Sequence, residues 1–163
     1  MLVDRRTLII GAATLAAVGT AENAMSETEE VRMTMPAERV LGIGGLFFRS
    51  ADPTKLAEWY QLHLGIDPMP TAEGQTVWQQ AGGATVFAPF PTDTGYFGSK
   101  QQAWMVNFRV RDLDAMAAQL RAADIAVKIY SEKDPSGRFA RLHDPEGNPI
   151  ELWEPAAGDS PRT

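Results

Sequence analysis

The chain has no cysteine and two histidines in 163 residues. Disulfides, thiolate nucleophiles and thiolate metal ligands are therefore excluded together, and the compartment stays open on that ground. Positive charge is short as well. Fifteen Lys and Arg against 21 Asp and Glu leave a net charge of -6, which argues against nucleic acid, a partner that selects a basic face. A glycine-rich phosphate loop is missing, because Gly42-Ile43-Gly44-Gly45 opens a strand and not a strand-to-helix turn. No serine stands in an identifiable arrangement with a base. What is present, 44% hydrophobic and 22% charged residues, suits one soluble globular domain with a real core.

The N-terminal stretch has a different character. Asp4-Arg5-Arg6-Thr7 precedes an apolar run from Leu8 to Val18, followed by small residues. That order is the pattern of an export signal, too short to span a bilayer as a stable helix. The paired arginines resemble a twin-arginine signal, which predicts export to the periplasm over residues 1–24 and no membrane segment in the mature form. The alternative is a true start at Met25, which would leave the protein cytoplasmic. Residues 25–39 read as a polar tether, 40–156 as the folded domain and 157–163 as a tail.

Two segments of the domain resemble each other at an offset of 60 residues. Gly45-Leu46-Phe47-Phe48-Arg49-Ser50-Ala51-Asp52 matches Met105-Val106-Asn107-Phe108-Arg109-Val110-Arg111-Asp112 at Phe48 with Phe108, Arg49 with Arg109 and Asp52 with Asp112. Each alternates like a strand and leads into a helical pattern. Asp52 caps the first helix, Pro53 sits where a missing N–H costs nothing, and Gly65 stops it. Leu56, Trp59, Tyr60 and Leu64 form its apolar stripe. Asp112 caps the second, with Leu113, Met116, Ala117 and Leu120 on one side. Short β-rich runs follow: 76–80 and 84–90 in the first half, then 126–130, 139–143 and 149–154 in the second. Asp144-Pro145-Glu146-Gly147-Asn148 forms the last tight turn. Strand, helix and return meander, done twice, predicts an α+β fold with the helices on one face of the sheet, the other face being buried by the other half or curled around a cavity. A ferredoxin-like sandwich is the structural competitor.

The stretches Gly42 to Arg49, Trp59-Tyr60-Gln61-Leu62-His63-Leu64-Gly65 and Asp144 to Pro155 resemble the vicinal-oxygen-chelate superfamily, the glyoxalase, bleomycin-resistance and extradiol dioxygenase group. The resemblance implies two βαβββ modules, at about 41–90 and 103–155, forming a cupped mixed sheet with the helices on its outer face and the site inside the cup. It also implies a divalent metal held by His, Gln or Glu from the first and last strand of each module, and a homodimer, since some relatives complete their sites across two chains. The family's ligand positions fall here on Gly45, on Thr85 or Val86, on Met105 and on Glu151. A glycine has no side chain, a thioether is a poor ligand for hard or borderline ions, and only Glu151 is a ligand-type residue.

Strand parity fills in the rest of the cup. Ile150 and Leu152, like Ala140 and Leu142, should face the helices, which turns Glu151, Trp153, Phe139, Arg141 and His143 inward. By the same parity Leu46, Phe48, Val106, Phe108 and Val110 lie under helices, and Phe47, Arg49, Met105, Asn107 and Arg109 face the cup. The expected substrate-binding set is thus Phe47, Arg49, Met105, Asn107, Arg109, Arg141 and Trp153, with Glu151 and His143 as the candidate acid/base pair. The bland alternatives stand beside these: His143 solvated at a strand end, Glu151 in a plain ion pair with an arginine, and Arg49 and Arg109 paired with acids near the helix starts. His63 reads as a helix-surface residue. The loop from Phe90 to Ser99 either lays Tyr96 and Phe97 over the site as a lid or covers core at the module junction.

Three functions follow. The first is a protein of this superfamily that binds a small organic molecule, anionic or aromatic, without the standard metal. The second is a metal-dependent lyase, isomerase or dioxygenase with a displaced ligand set around Glu151 and His143. The third is a non-enzymatic drug-sequestering protein.

Overall fold

The computed structural model describes residues 38–156; the expected export signal, most of the expected tether and the expected tail lie outside the described residues. Helix α1 (Pro53–Leu64) is followed by β1 (Val106–Arg109), α2 (Leu113–Ala122), β2 (Lys128–Ile129), β3 (Gly137–His143) and β4 (Pro149–Pro155). The strands make one sheet in the order β1-β4-β3-β2. β1 runs parallel to β4, while β3 is antiparallel to β4 and β2 antiparallel to β3. The second half is therefore a complete βαβββ unit.

Both helices begin as their sequences dictate. The Asp52 carboxylate accepts the Lys55 N–H at 3.2 Å, and the Asp112 carboxylate accepts the Ala115 N–H at 2.9 Å. At the far end of α1 the Gly65 N–H returns to the Gln61 carbonyl. The apolar stripes of the two helices then meet one face of the sheet. Leu56 and Tyr60 of α1 join Leu113, Ala117 and Leu120 of α2 over Ala140, Leu142, Ile150 and Leu152. Burying each large aliphatic side chain contributes about 1.5–3 kcal/mol, so this layer dominates the stability of the unit. Val106 and Phe108 of β1, and Val110 just after it, pack against it.

The first half departs from the expected plan. It contributes its helix, but 45–52, 76–80 and 84–90 form no ladder among the described residues. Leu46 and Phe48, expected under a helix, are half or more than a third exposed. Alternation equips these runs for a sheet surface, yet a ladder also needs a neighbouring strand, and the described chain places none beside them.

The turn between β3 and β4 holds α1 in place. Asp144 is buried, and its carboxylate accepts the N–H groups of Glu146 and Asn148 at 2.9 Å each. It also accepts the Tyr60 hydroxyl at 3.0 Å and the Asn148 amide at 2.8 Å. Burial and then the Asp144 charge push the Tyr60 hydroxyl pKa far up, so the phenol stays a donor. Tyr60→Phe is expected to cost about 1.5 kcal/mol in urea denaturation, the low end for a bond to a charged acceptor because Asn148 remains. An unchanged midpoint would contradict that role.

Glu146, next in the turn, reaches the start of α1. Its carboxylate accepts the Ser50 hydroxyl at 2.7 Å and the N–H groups of Ala51 and Asp52 at 3.0 Å. The Ser50 hydrogen bond, then the backbone N–H of Asp52, hold its pKa below the usual 4.5. A folded-state pKa that is depressed adds stability present above the unfolded value and lost as pH falls through the folded one. Glu146→Gln is therefore expected to lower Tm slightly at pH 7, solvent screening keeping the effect small, with the gap to the parent closing below the ordinary carboxylate range. A gap that stayed constant with pH would contradict the charge-based account.

Candidate functional site

The sheet face opposite the helices carries a row of polar side chains. In register, Asn107 of β1 stands beside Glu151 of β4, and Glu151 beside Arg141 of β3. The period of two along each strand sends their neighbours Ile150, Leu152, Ala140 and Leu142 to the helix side, so these three share the other face. The next row holds Arg109, Trp153 and Phe139. The Phe139 and Trp153 rings are parallel, 6.2 Å between centroids, and the Trp153 indole N–H donates to the Ser136 carbonyl at 2.8 Å.

Glu151 is 4% exposed. Its Oε2 accepts the Asn107 amide at 2.9 Å, its Oε1 accepts the Tyr96 hydroxyl at 2.8 Å, and Arg141 Nη2 lies 3.6 Å from Oε1. Arg141 Nη1 donates to the Tyr96 carbonyl at 2.9 Å, and its guanidinium carbon lies 5.0 Å from the centre of the Tyr96 ring. Phe90 stacks on that ring at 5.0 Å and Phe97 meets it edge-on. The loop between the halves thus lies across the face with Tyr96 against the ion pair. Arg141 Nε is buried with no hydrogen-bond partner among the described residues.

The other expected site residues are dispersed. Phe47 is 91% exposed and Arg49 is exposed, both on the unpaired first segment. Met105 is half-buried just before β1. Arg109 is turned to backbone: its guanidinium donates to the Ala81 carbonyl at 2.7 Å and the Gly82 carbonyl at 3.0 Å. It lies so close to Gly83 that a Cβ there would enter the guanidinium. His143 is exposed at the end of β3, opposite Pro149, and borders a shallow cleft of about 270 Å³ with Trp59, Ile125 and Asp144. Glu151 does not line that cleft. Tyr96 was readable only as one of three aromatics in a glycine- and proline-rich loop, because 55 residues separate it from Glu151.

The family's divalent ion can be tested against these side chains. Gly45 is exposed on the unpaired first segment, Thr85 and Val86 are exposed, and Met105 offers a thioether. No group of three or more His, Asp or Glu among the described residues could hold an ion. The one ligand-type residue, Glu151, already accepts two hydrogen bonds beside a fixed guanidinium charge, and a cation there would meet that charge at close range. The residues do not fit the metal.

A model of the glyoxalase-like domain matches residues 45–153. Among curated proteins, none matches the chain. Among solved structures the chain is similar to TnmS3, an antibiotic binding protein from Streptomyces sp. CB03234, at 24% identity over 65% of this chain and 88% of that one, with a TM-score of 0.41. It is similar to a glyoxalase/bleomycin resistance protein from the same organism at 24% identity over 64% and 92%, TM-score 0.40. TioX from Micromonospora sp. ML1 is 20% identical over 68% and 94%, TM-score 0.38. With the family model spanning most of the chain and all but the last two residues of the βαβββ unit inside the match, the chain belongs to the glyoxalase-like family of the vicinal-oxygen-chelate superfamily.

Proposed function

We propose that this protein binds a small organic molecule on the Glu151 face of its sheet without a divalent ion. The observation that carries the reading is the row Asn107–Glu151–Arg141, with the Phe139–Trp153 pair in the row beside it. A few fixed polar groups next to aromatic walls are the makings of a small-molecule site. The buried Arg141 Nε adds to it. A buried donor without an acceptor costs about 1–3 kcal/mol, which an oxygen of a bound molecule would relieve. Titration of the full chain with 2-naphthol and 2-naphthoate, followed by tryptophan fluorescence, tests the reading. Saturable binding that survives EDTA is expected. Binding that vanishes on chelation and returns with a divalent ion would replace this reading with the metal-dependent lyase, isomerase or dioxygenase.

A second copy of the chain is proposed to cover the first half. Val40, Phe47 and Phe87 are 93%, 91% and 87% exposed, and β1 is an edge strand of the sheet. Exposed apolar runs beside an open edge favour pairing with another chain. Light scattering at micromolar concentration should give twice the mass of one chain, and a monomer at every concentration would contradict it.

A further inference from the structure

We propose that the Glu151 face takes a neutral phenol, and that Tyr96 is the chain's own stand-in for it. This rests on the reading of that face as a small-molecule site. An ionised carboxylate is an acceptor only, so whatever docks on Glu151 Oε1 must bring a donor. Tyr96 brings an O–H at 2.8 Å. Its ring meets two flat partners, the Arg141 guanidinium at 5.0 Å and the Phe90 ring at 5.0 Å with 10° between the Phe90 and Tyr96 planes. Cation–π attraction and stacking both select a flat ring, and the carboxylate selects a hydroxyl on it. A phenol ionises near pH 10, so at neutral pH it keeps the proton that the contact needs. A carboxylate or phosphate is the poorer guest, because it would face Glu151 while the charge of Arg141 is already matched.

Tyr96 is also placed where it can leave. The loop that carries it is closed by local turns, with the Thr94 N–H on the Pro91 carbonyl, the Gly98 N–H on the Gly95 carbonyl and the Gln102 N–H on the Ser99 carbonyl. It has no strand in the sheet and no residue in the helix-side core. Lifting it exposes the ion pair and leaves the main hydrophobic layer intact. A guest must compete with Tyr96, so its apparent affinity is reduced by the fraction of time the loop is open.

Calorimetric titration of the full chain with 2-naphthol, 2-methoxynaphthalene and 2-naphthoate tests this, in the parent and in Tyr96→Ala. The naphthol is expected to bind about 10- to 100-fold more tightly than its methyl ether, which has lost the donor. Tyr96→Ala should bind the naphthol at least about tenfold more tightly than the parent does. Equal affinity for naphthol and ether, or no gain in Tyr96→Ala, overturns the proposal. Tighter binding of the naphthoate also overturns it, while leaving the small-molecule site standing; no binding of any of the three, by parent or variant, removes both. Should thermal melting show Tyr96→Ala unfolded, Tyr96→Phe carries the test, since its ring loses the bond to Glu151 and must yield more readily to naphthol. A Tyr96→Phe protein with parental affinity would again overturn the proposal.

Discussion

Arg141→Met should destabilise the protein by about 3 kcal/mol, because it strands a buried carboxylate. The two side chains are 13% and 5% exposed, so neither charge has water to fall back on. Removing one partner of such a pair typically costs about 3–5 kcal/mol, and the low end applies because Tyr96 and Asn107 still donate to Glu151. Glu151→Leu should cost a similar amount by leaving the guanidinium alone. Arg141→Met with Glu151→Leu should be less destabilised than either single change, since an apolar pair of similar volume needs no compensation. Urea denaturation of the four proteins completes a double-mutant cycle, and additive losses would show that the two groups are not coupled.

Gly137→Ala is expected to be at least as damaging. Gly137 opens β3 at φ +132°, a conformation that an L side chain rarely adopts, and an added Cβ would overlap the Glu154 carbonyl oxygen of the neighbouring strand. Strain of that backbone kind costs about 1–3 kcal/mol before the overlap is counted. The backbone obstacle cannot rotate away, so the start of the β3–β4 ladder must shift. Ser136, next in the chain, accepts the Trp153 indole N–H, which ties the shift to the aromatic pair on the site face. The loss should exceed about 3 kcal/mol, and Trp153 fluorescence should change with it. A variant with parental Tm and spectrum would contradict this geometry.

Much of the fold was legible in the sequence because its signals are local. Asp52 and Asp112, each before a helical stripe, mark the two helix starts, and both carboxylates accept the N–H three residues on. Period-two alternation on β3 and β4 separates Ala140, Leu142, Ile150 and Leu152 from Phe139, Arg141, Glu151 and Trp153, and the two sets lie on opposite faces. What was hidden depends on partners distant in the chain. The apolar alternation of 84–90 announces a strand surface but not where its neighbour is. Arg109 reads either as a substrate-binding residue or as the partner of an acid near a helix start, yet its guanidinium goes to two carbonyls of the Gly82 turn, which are distant in the chain. The Tyr96–Glu151 bond had no local signal beyond the composition of its loop.

The central claim is that Glu151 is held by organic donors and not by an ion. Calorimetric titration of chelator-treated full-length protein with Zn²⁺, Mn²⁺ and Ni²⁺ tests it most directly. The account predicts no one-to-one binding that depends on position 151, so that the parent and Glu151→Gln give the same trace. A stoichiometric ion bound by the parent and lost in Glu151→Gln would contradict it.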